Sequence, residues 1–304
     1  MKIATTIGEM LNYAPSSEKS IEIYKDSGFK YLDYSFYNIL SNDYDGIMTD
    51  GWRDGILRTK SEAEALGFKF VQAHAPSGNL VGEKKDATLE ATVRSIEACG
   101  ILGIKNMVIH SAFCEDFTYP DGKLDYFKAN EPFLSALIPH MEKHGVNILL
   151  ENTTAKHTHG TFFPITGEDL NDFVEFMKHP LFGACWDVGH ANMDGIDHYK
   201  EIMTLGKNLK AIHVHDNYGE RDLHLAPFLG TLDIDALMRG LIDSGFEGYF
   251  TLESDNFFKH TRRVKPSGEN NRLLYPTLEI KKASLSLLYL ISKTILEAYD
   301  VYEE

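Results

Sequence analysis

The sequence predicts an α/β protein, a single (β/α)8 TIM barrel over residues 1–304, and three observations predict it. Short apolar, β-branched runs alternate with helix-patterned runs eight times from one end of the chain to the other. No block of helices alone or strands alone interrupts that order, which argues for a parallel sheet. Eight units in 304 residues are the number and the length that close a barrel. A doubly wound open sheet is the alternative, but no Gly-x-Gly-x-x-Gly follows the first strand to support a dinucleotide site.

The elements follow in order. Ile3–Ile7 is the first strand, and Ser17–Ser27 is a helix closed by Gly28, since glycine commonly ends helices. Tyr31–Phe36 is the second strand, followed by a helix over Arg53–Leu66 that stops at Gly67. Phe68–Ala75 is the third strand. Apolar residues at helical spacing (Leu89, Val93, Ile96, Leu102) then mark a helix from Lys84 to Leu102, before Gly103. Strand Asn106–His110 leads into a long loop with the turn sequence Tyr119-Pro-Asp-Gly122, then helix Glu131–His144 and strand Asn147–Glu151. Thr166-Gly-Glu-Asp169 reads as a capping box opening a helix to Lys178. Strand Gly183–Asp187, helix Ile196–Leu205, strand Leu209–His215, helix Asp233–Ser244, strand Tyr249–Glu253 and helix Leu278–Ala298 complete the series. The stretch Asp255–Tyr275 is irregular and holds the one clear basic cluster, Arg262-Arg-Val-Lys265.

Composition narrows the setting. Hydrophobic residues at 43% and charged residues at 25% are ordinary for a globular chain. Three widely spaced cysteines (Cys99, Cys114, Cys185) imply no disulfide framework and suit a reducing cytoplasm, the expected location. The N-terminus lacks the apolar core of a signal peptide, and no apolar run approaches a membrane span. A net charge of −15 argues against nucleic acid or an anionic membrane as partner.

The chemistry lies at the strand ends. Six strands in succession, the third to the eighth, finish in His74, His110, Glu151, Asp187 with His190, His213 and Glu253, and the loop after the seventh adds Asp222 and His224. Barrel active sites lie at the C-terminal ends of the strands. A lone histidine is usually a structural hydrogen-bonder, and an acid ending a strand is often a helix cap. Helix capping, however, would not call for so many histidines, and charges gathered in a barrel mouth are costly unless paired or bound to a metal. Three carboxylates and one imidazole (Glu151, Asp187, His213, Glu253) suit Mn²⁺, Mg²⁺ or Co²⁺ without excluding Zn²⁺. The histidine-rich remainder favours Zn²⁺, or else orients substrate hydroxyls and neighbouring carboxylates. Of His213 and His215, only one is expected to face the barrel interior and the other a surrounding helix.

These residues resemble the xylose-isomerase-like barrel superfamily, which includes sugar isomerases and epimerases, inosose dehydratases and endonuclease IV. The resemblance spans nearly the whole chain and rests on Leu150-Glu-Asn-Thr153, Asp187-Val-Gly-His190, His213-Val-His-Asp216, Asp222-Leu-His224 and Thr251-Leu-Glu253. Resemblance to the ketose epimerases implies one metal held by Glu151, Asp187, His213 and Glu253, which makes His213 rather than His215 the inward histidine. It also implies that Glu151 and Glu253 are the catalytic acid–base pair and that His190 contacts substrate oxygens. The epimerases carry a substrate-binding arginine six residues beyond the metal histidine; that position is Gly219 here, with Arg221 two residues on. Resemblance to endonuclease IV implies a three-zinc site, with candidates at His74, His110, Glu151, Asp187, His190, His213, Asp222, His224 and Glu253. That enzyme's DNA-penetrating loop after the third strand has no counterpart in Ala75–Gly82.

The expectation is a divalent-metal-dependent isomerase or epimerase acting on a small sugar or sugar phosphate, with one to three ions (Mn²⁺, Zn²⁺, Mg²⁺ or Co²⁺). Proton transfer beside a carbonyl would run through an enediolate, and a dehydratase would use the same pair. Phe113, Phe162, Phe163 and Trp186 are candidates for the apolar wall against the sugar. A zinc phosphodiesterase is the second expectation, and a homo-oligomer is compatible with either.

Overall fold

The computed structural model describes residues 1–158, 160–254 and 276–304. The basic cluster Arg262-Arg-Val-Lys265 falls outside the described residues.

Eight parallel strands run in the order β7-β6-β5-β4-β3-β2-β1-β8. They are β1 Ile3–Thr6, β2 Tyr31–Ser35, β3 Lys69–His74, β4 Asn106–Ile109, β5 Asn147–Glu151, β6 Phe182–Asp187, β7 Leu209–His213 and β8 Phe250–Leu252. A bridge between Val214 and Leu252 brings the two ends of the sheet together. There Val214 N–H donates to the Thr251 carbonyl at 2.8 Å, and Glu253 N–H to the Val214 carbonyl at 3.0 Å. The result is a single, nearly closed (β/α)8 TIM barrel, as the alternation of apolar runs predicts.

Between the strands lie α1 Ser17–Ile21, α2 Trp52–Ala65, α3 Lys85–Leu102, α4 Lys123–His144, α5 Ala155–Thr158, α6 Gly167–Met177, α7 Val188–Met193, α8 His198–Leu205 and α9 Ile234–Asp243, with α10 Leu278–Ala298 last. The capping box at α6 is present as expected: the Thr166 hydroxyl accepts from Asp169 N–H, and the Asp169 carboxylate accepts from Thr166 N–H. Three expectations are corrected. Helix α1 gives way after Ile21 to a tighter 3-10 turn, Glu22–Tyr24. Helix α4 begins eight residues before Glu131, because Gly122 ends the turn and the helix starts directly at Lys123. Strand β7 ends at His213 rather than His215.

Alternation along the strands decides what enters the barrel, since every second side chain points the same way. Leu32, Tyr34, Ile148, Leu150 and Ile212 join the large core between sheet and helices. The intervening positions turn inward, where Val108, Leu149, Cys185 and Ala211 form a small separate apolar cluster. Two residues further along those four strands stand His110, Glu151, Asp187 and His213. An apolar floor therefore lies directly beneath a polar mouth.

Candidate functional site

Glu151, Asp187, His213 and Glu253 come together at the mouth, with one donor atom from each lying within 4.8 Å of the others. Glu151 is 1% exposed and Asp187 fully buried, whereas Glu253 is partly open. His213 Nδ1 lies 2.6 Å from Glu151 Oε1 and 3.5 Å from Glu253 Oε2, so two carboxylates approach one ring nitrogen.

Glu151 is shared with a second group. His110 Nε2 comes within 2.7 Å and His74 Nε2 within 3.4 Å of Glu151 Oε2. That buried oxygen nevertheless accepts no hydrogen bond, so both nitrogens approach off the donor axis. A third group adjoins it: Asp222 Oδ2 lies 3.0 Å from His224 Nε2 and 3.7 Å from His190 Nε2.

The histidines are held by their far nitrogens. His74 Nδ1 donates to the Ala75 carbonyl at 2.9 Å, His190 Nδ1 to that of Asn152 at 2.9 Å, and His224 Nδ1 to that of Glu253 at 2.7 Å. Each therefore turns Nε2 into the cluster, which is how metal-ligating histidines are usually anchored. The buried Glu151 oxygen left without a hydrogen bond, and the donors of Glu151, Asp187, Glu253 and His213 gathered within 4.8 Å of one another, are of the kind a divalent cation takes, with the anchored imidazoles in the adjoining groups.

Electrostatics point the same way. Burial alone would raise the Glu151 pKa, but His213 and His110 outweigh it and hold the carboxyl well below its usual range. Asp187 is likewise lowered, burial being overcome by His190 and His215. Burial would depress the histidines, yet Asp187 and Asp222 bring His190 up to about 10. His213 is also raised well above its ordinary value against burial, with Cys185, Glu253 and Glu151 around it.

Local sequence explains the positions. Asn152, next to Glu151, grips the backbone of Asp187: its Oδ1 accepts from Asp187 N–H at 2.7 Å and its Nδ2 donates to the Asp187 carbonyl at 3.0 Å. Asp187 also caps α7, accepting from His190 N–H at 2.7 Å. The capping and ligand readings of this residue therefore coincide. Asp216 anchors the loop that carries Asp222 and His224, its carboxylate accepting from the N–H groups of Asn217, Gly230 and Leu232 at 2.8, 2.8 and 3.0 Å. His224 sits at φ 49°, a sparsely populated region for a side-chain-bearing residue.

Sequence reasoning misplaced His215. It does not face a surrounding helix: residues two apart on an extended chain share a face, so His213 and His215 both point inward. His215 Nε2 reaches the Asp187 carboxylate at 3.1 Å, and its ring stacks on His224 with centroids 4.0 Å apart. The period-2 rule applied to 211, 213 and 215 would have found it.

The four aromatics named as candidates for an apolar wall fall in two places. Phe113 and Phe163 line a cavity of about 380 Å³ beside the cluster, together with Tyr37, Asn79 and His157 and with His74 and His110 at its base. Phe162 is buried among Tyr119, Tyr126 and Phe127. Trp186 is buried, with its indole N–H donating to His198 at 3.3 Å. Both pack under the loops instead. Gly219, where the epimerases have arginine, offers its carbonyl to Lys156 Nζ, and Arg221 is exposed.

Comparison with known proteins places the chain by family and fold. A Methanocaldococcus jannaschii protein of uncharacterized function is 27% identical over 74% of this chain and 73% of its own length. The fructoselysine 3-epimerase of Shigella flexneri is 26% identical over 81% of this chain and 94% of its own. A probable endonuclease 4 of Mesomycoplasma hyopneumoniae is 27% identical over 51% of this chain and 57% of its own. The crystal structure of a D-tagatose 3-epimerase-like protein superposes with a TM-score of 0.70 at 18% identity, covering 97% of this chain and all of that one. The family model described as xylose isomerase-like TIM barrel matches residues 21–273. With eight parallel strands forming the barrel, six of them leading into a His, Asp or Glu at one mouth, and that match spanning β2 to β8, the chain belongs to the xylose isomerase-like TIM barrel family.

Proposed function

We propose that the chain is a divalent-metal-dependent isomerase or epimerase of a small sugar or sugar phosphate, moving a proton at the carbon beside a carbonyl. The observation that carries this reading is the convergence of Glu151, Asp187, His213 and Glu253 at the mouth. Those four residues would hold the ion, and their oxygen-rich set suits Mn²⁺, Mg²⁺, Co²⁺ or Zn²⁺. When bound, the ion supplies a Lewis acid for the negative charge that develops on the substrate oxygens. Glu151, kept ionised by its histidines, is one base; Glu253, reaching the same ring nitrogen from the more open side, is its partner on the other face of the reacting carbon. The cavity beside His110 lies within the range of small-molecule sites and takes the body of the sugar against Tyr37 and Phe113. Three buried, unpaired cysteines fit action in a reducing cytoplasm. No helix among the described residues is long and apolar enough to cross a membrane.

A second reading, a multi-metal phosphodiesterase, is favoured by the His74–His110 group sharing Glu151 and by the His190–Asp222–His224 group. Elemental analysis of the purified chain, with parallel assays of ketose conversion and abasic-site DNA cleavage, separates the two. One ion per chain with ketose conversion supports the isomerase. Three zinc ions with DNA cleavage and no conversion overturn it.

A further inference from the structure

We propose that His215 is a positioning residue that orients Asp187 toward the metal through a hydrogen bond from Nε2; this rests on the metal reading above. A carboxylate can only accept, so the 3.1 Å contact puts the proton on His215 Nε2. His215 is fully buried, and nothing else in the described structure binds its ring nitrogens: Nδ1 has no hydrogen-bond partner and faces Asp222 Oδ1, itself unpartnered, at 3.8 Å.

The surroundings fix the ring in that pose. One face stacks on His224, with planes only 4° apart. The edge presses against Gly189, where a Cβ would lie 1.8 Å from His215 Cε1. Glycine at 189 is therefore what lets the imidazole reach Asp187, and Asp187-Val-Gly-His190 and His213-Val-His-Asp216 are two halves of one contact. Asp187 then has its backbone held by Asn152, one carboxylate oxygen by His190 N–H, and the carboxylate as a whole by His215. This holds the carboxylate within the group formed with Glu151, His213 and Glu253. A carboxylate held this way beside a metal is the arrangement whose loss typically lowers affinity about 10–100-fold.

Two variants separate a hydrogen-bonding role from a packing role. His215→Phe keeps the flat ring on His224 and removes the donor; His215→Gln removes the ring and places an amide N–H near the position of Nε2. Zn²⁺ affinity is read by competition with a chromophoric chelator, and the ligand field by the visible absorption of the Co²⁺-loaded protein. The expected result is a loss of about 10–100-fold in H215F with altered Co²⁺ bands, and recovery to within about threefold in H215Q. Gly189→Ala, which pushes the ring off Asp187 without removing any nitrogen, is expected to mimic H215F and serves if H215F does not fold. Wild-type affinity in H215F or G189A, or equal losses in H215F and H215Q, overturns the proposal while leaving the metal reading intact. A wild-type chain that binds neither Zn²⁺ nor Co²⁺ overturns both.

Discussion

On the β3–β4 flank of the mouth, His74 and His110 stand at the base of a cavity of about 380 Å³, and His110 keeps 42% of its side chain exposed. On the β6–β7 flank, His190 and His215 are buried, and Asp222 and His224 ride on a loop tied down by the Asp216 carboxylate. Both flanks aim imidazoles at carboxylates, but one leaves room for a substrate and the other fills its room with hydrogen bonds. Under the proposed function, the first flank would be the side that receives the substrate and the second the side that holds the charged cluster in place. Glu151 and Asp187 stand between them.

The largest expected effect comes from the residue that both ligand groups share. Glu151→Gln should lower turnover by at least about 10³-fold, within the range for losing an acid–base group, with far-UV circular dichroism unchanged. Wild-type rates in that variant would refute the site. On the closed flank, Asp216→Ala strips three backbone donors of their acceptor and should cost about 2–4 kcal/mol in denaturant unfolding. If the flank is rigid because of Asp216, the same variant should also lower the metal content.

The next effect is on pH. Without metal, Asp187 and Asp222 bring His190 up to about 10 against burial, and Cys185, Glu253 and Glu151 hold His213 well above its usual value. A cation bound through His213 must displace the proton on that ring, so apparent affinity should rise with pH by about tenfold per unit for each proton displaced. By the same linkage, histidines with raised folded pKa values stabilise the metal-free chain fully below about 6.5 and lose that contribution as pH rises through the folded value. The melting temperature of the metal-free chain should therefore fall between pH 6.5 and 10, with the metal-loaded protein less affected. The smallest effect belongs to the open flank. Tyr37→Ala or Phe113→Ala should raise KM roughly tenfold with little change in kcat, the signature of lost binding shared by ground and transition states. A kcat loss instead would move those residues into the chemistry.

The strand ends were legible because a buried parallel strand reads as an apolar run, and the polar residue that breaks the run marks where it emerges at the mouth. Glu151, Asp187 and His213 each end a strand in just this way. The face of His215 was also legible, and was misread against the strand's own period. Other features lay beyond local pattern. Asp216 draws on Gly230 and Leu232, fourteen and sixteen residues later, which nothing before the loop announces. Helix α7 is a short turn whose cap, Asp187, had already been counted as a strand end. Phe162 and Trp186 carry the same composition signal as Phe113, and only packing separates a buried ring from a wall.

The central claim is proton exchange at a metal-dependent mouth, and solvent-deuterium incorporation tests it most directly. Metal-loaded protein in deuterated water, offered a panel of ketoses and inososes, should place deuterium on the carbon beside the carbonyl of at least one sugar, and Glu151→Gln should place none. Abasic-site DNA cleavage by the wild-type chain, with no deuterium entering any sugar, would contradict the account.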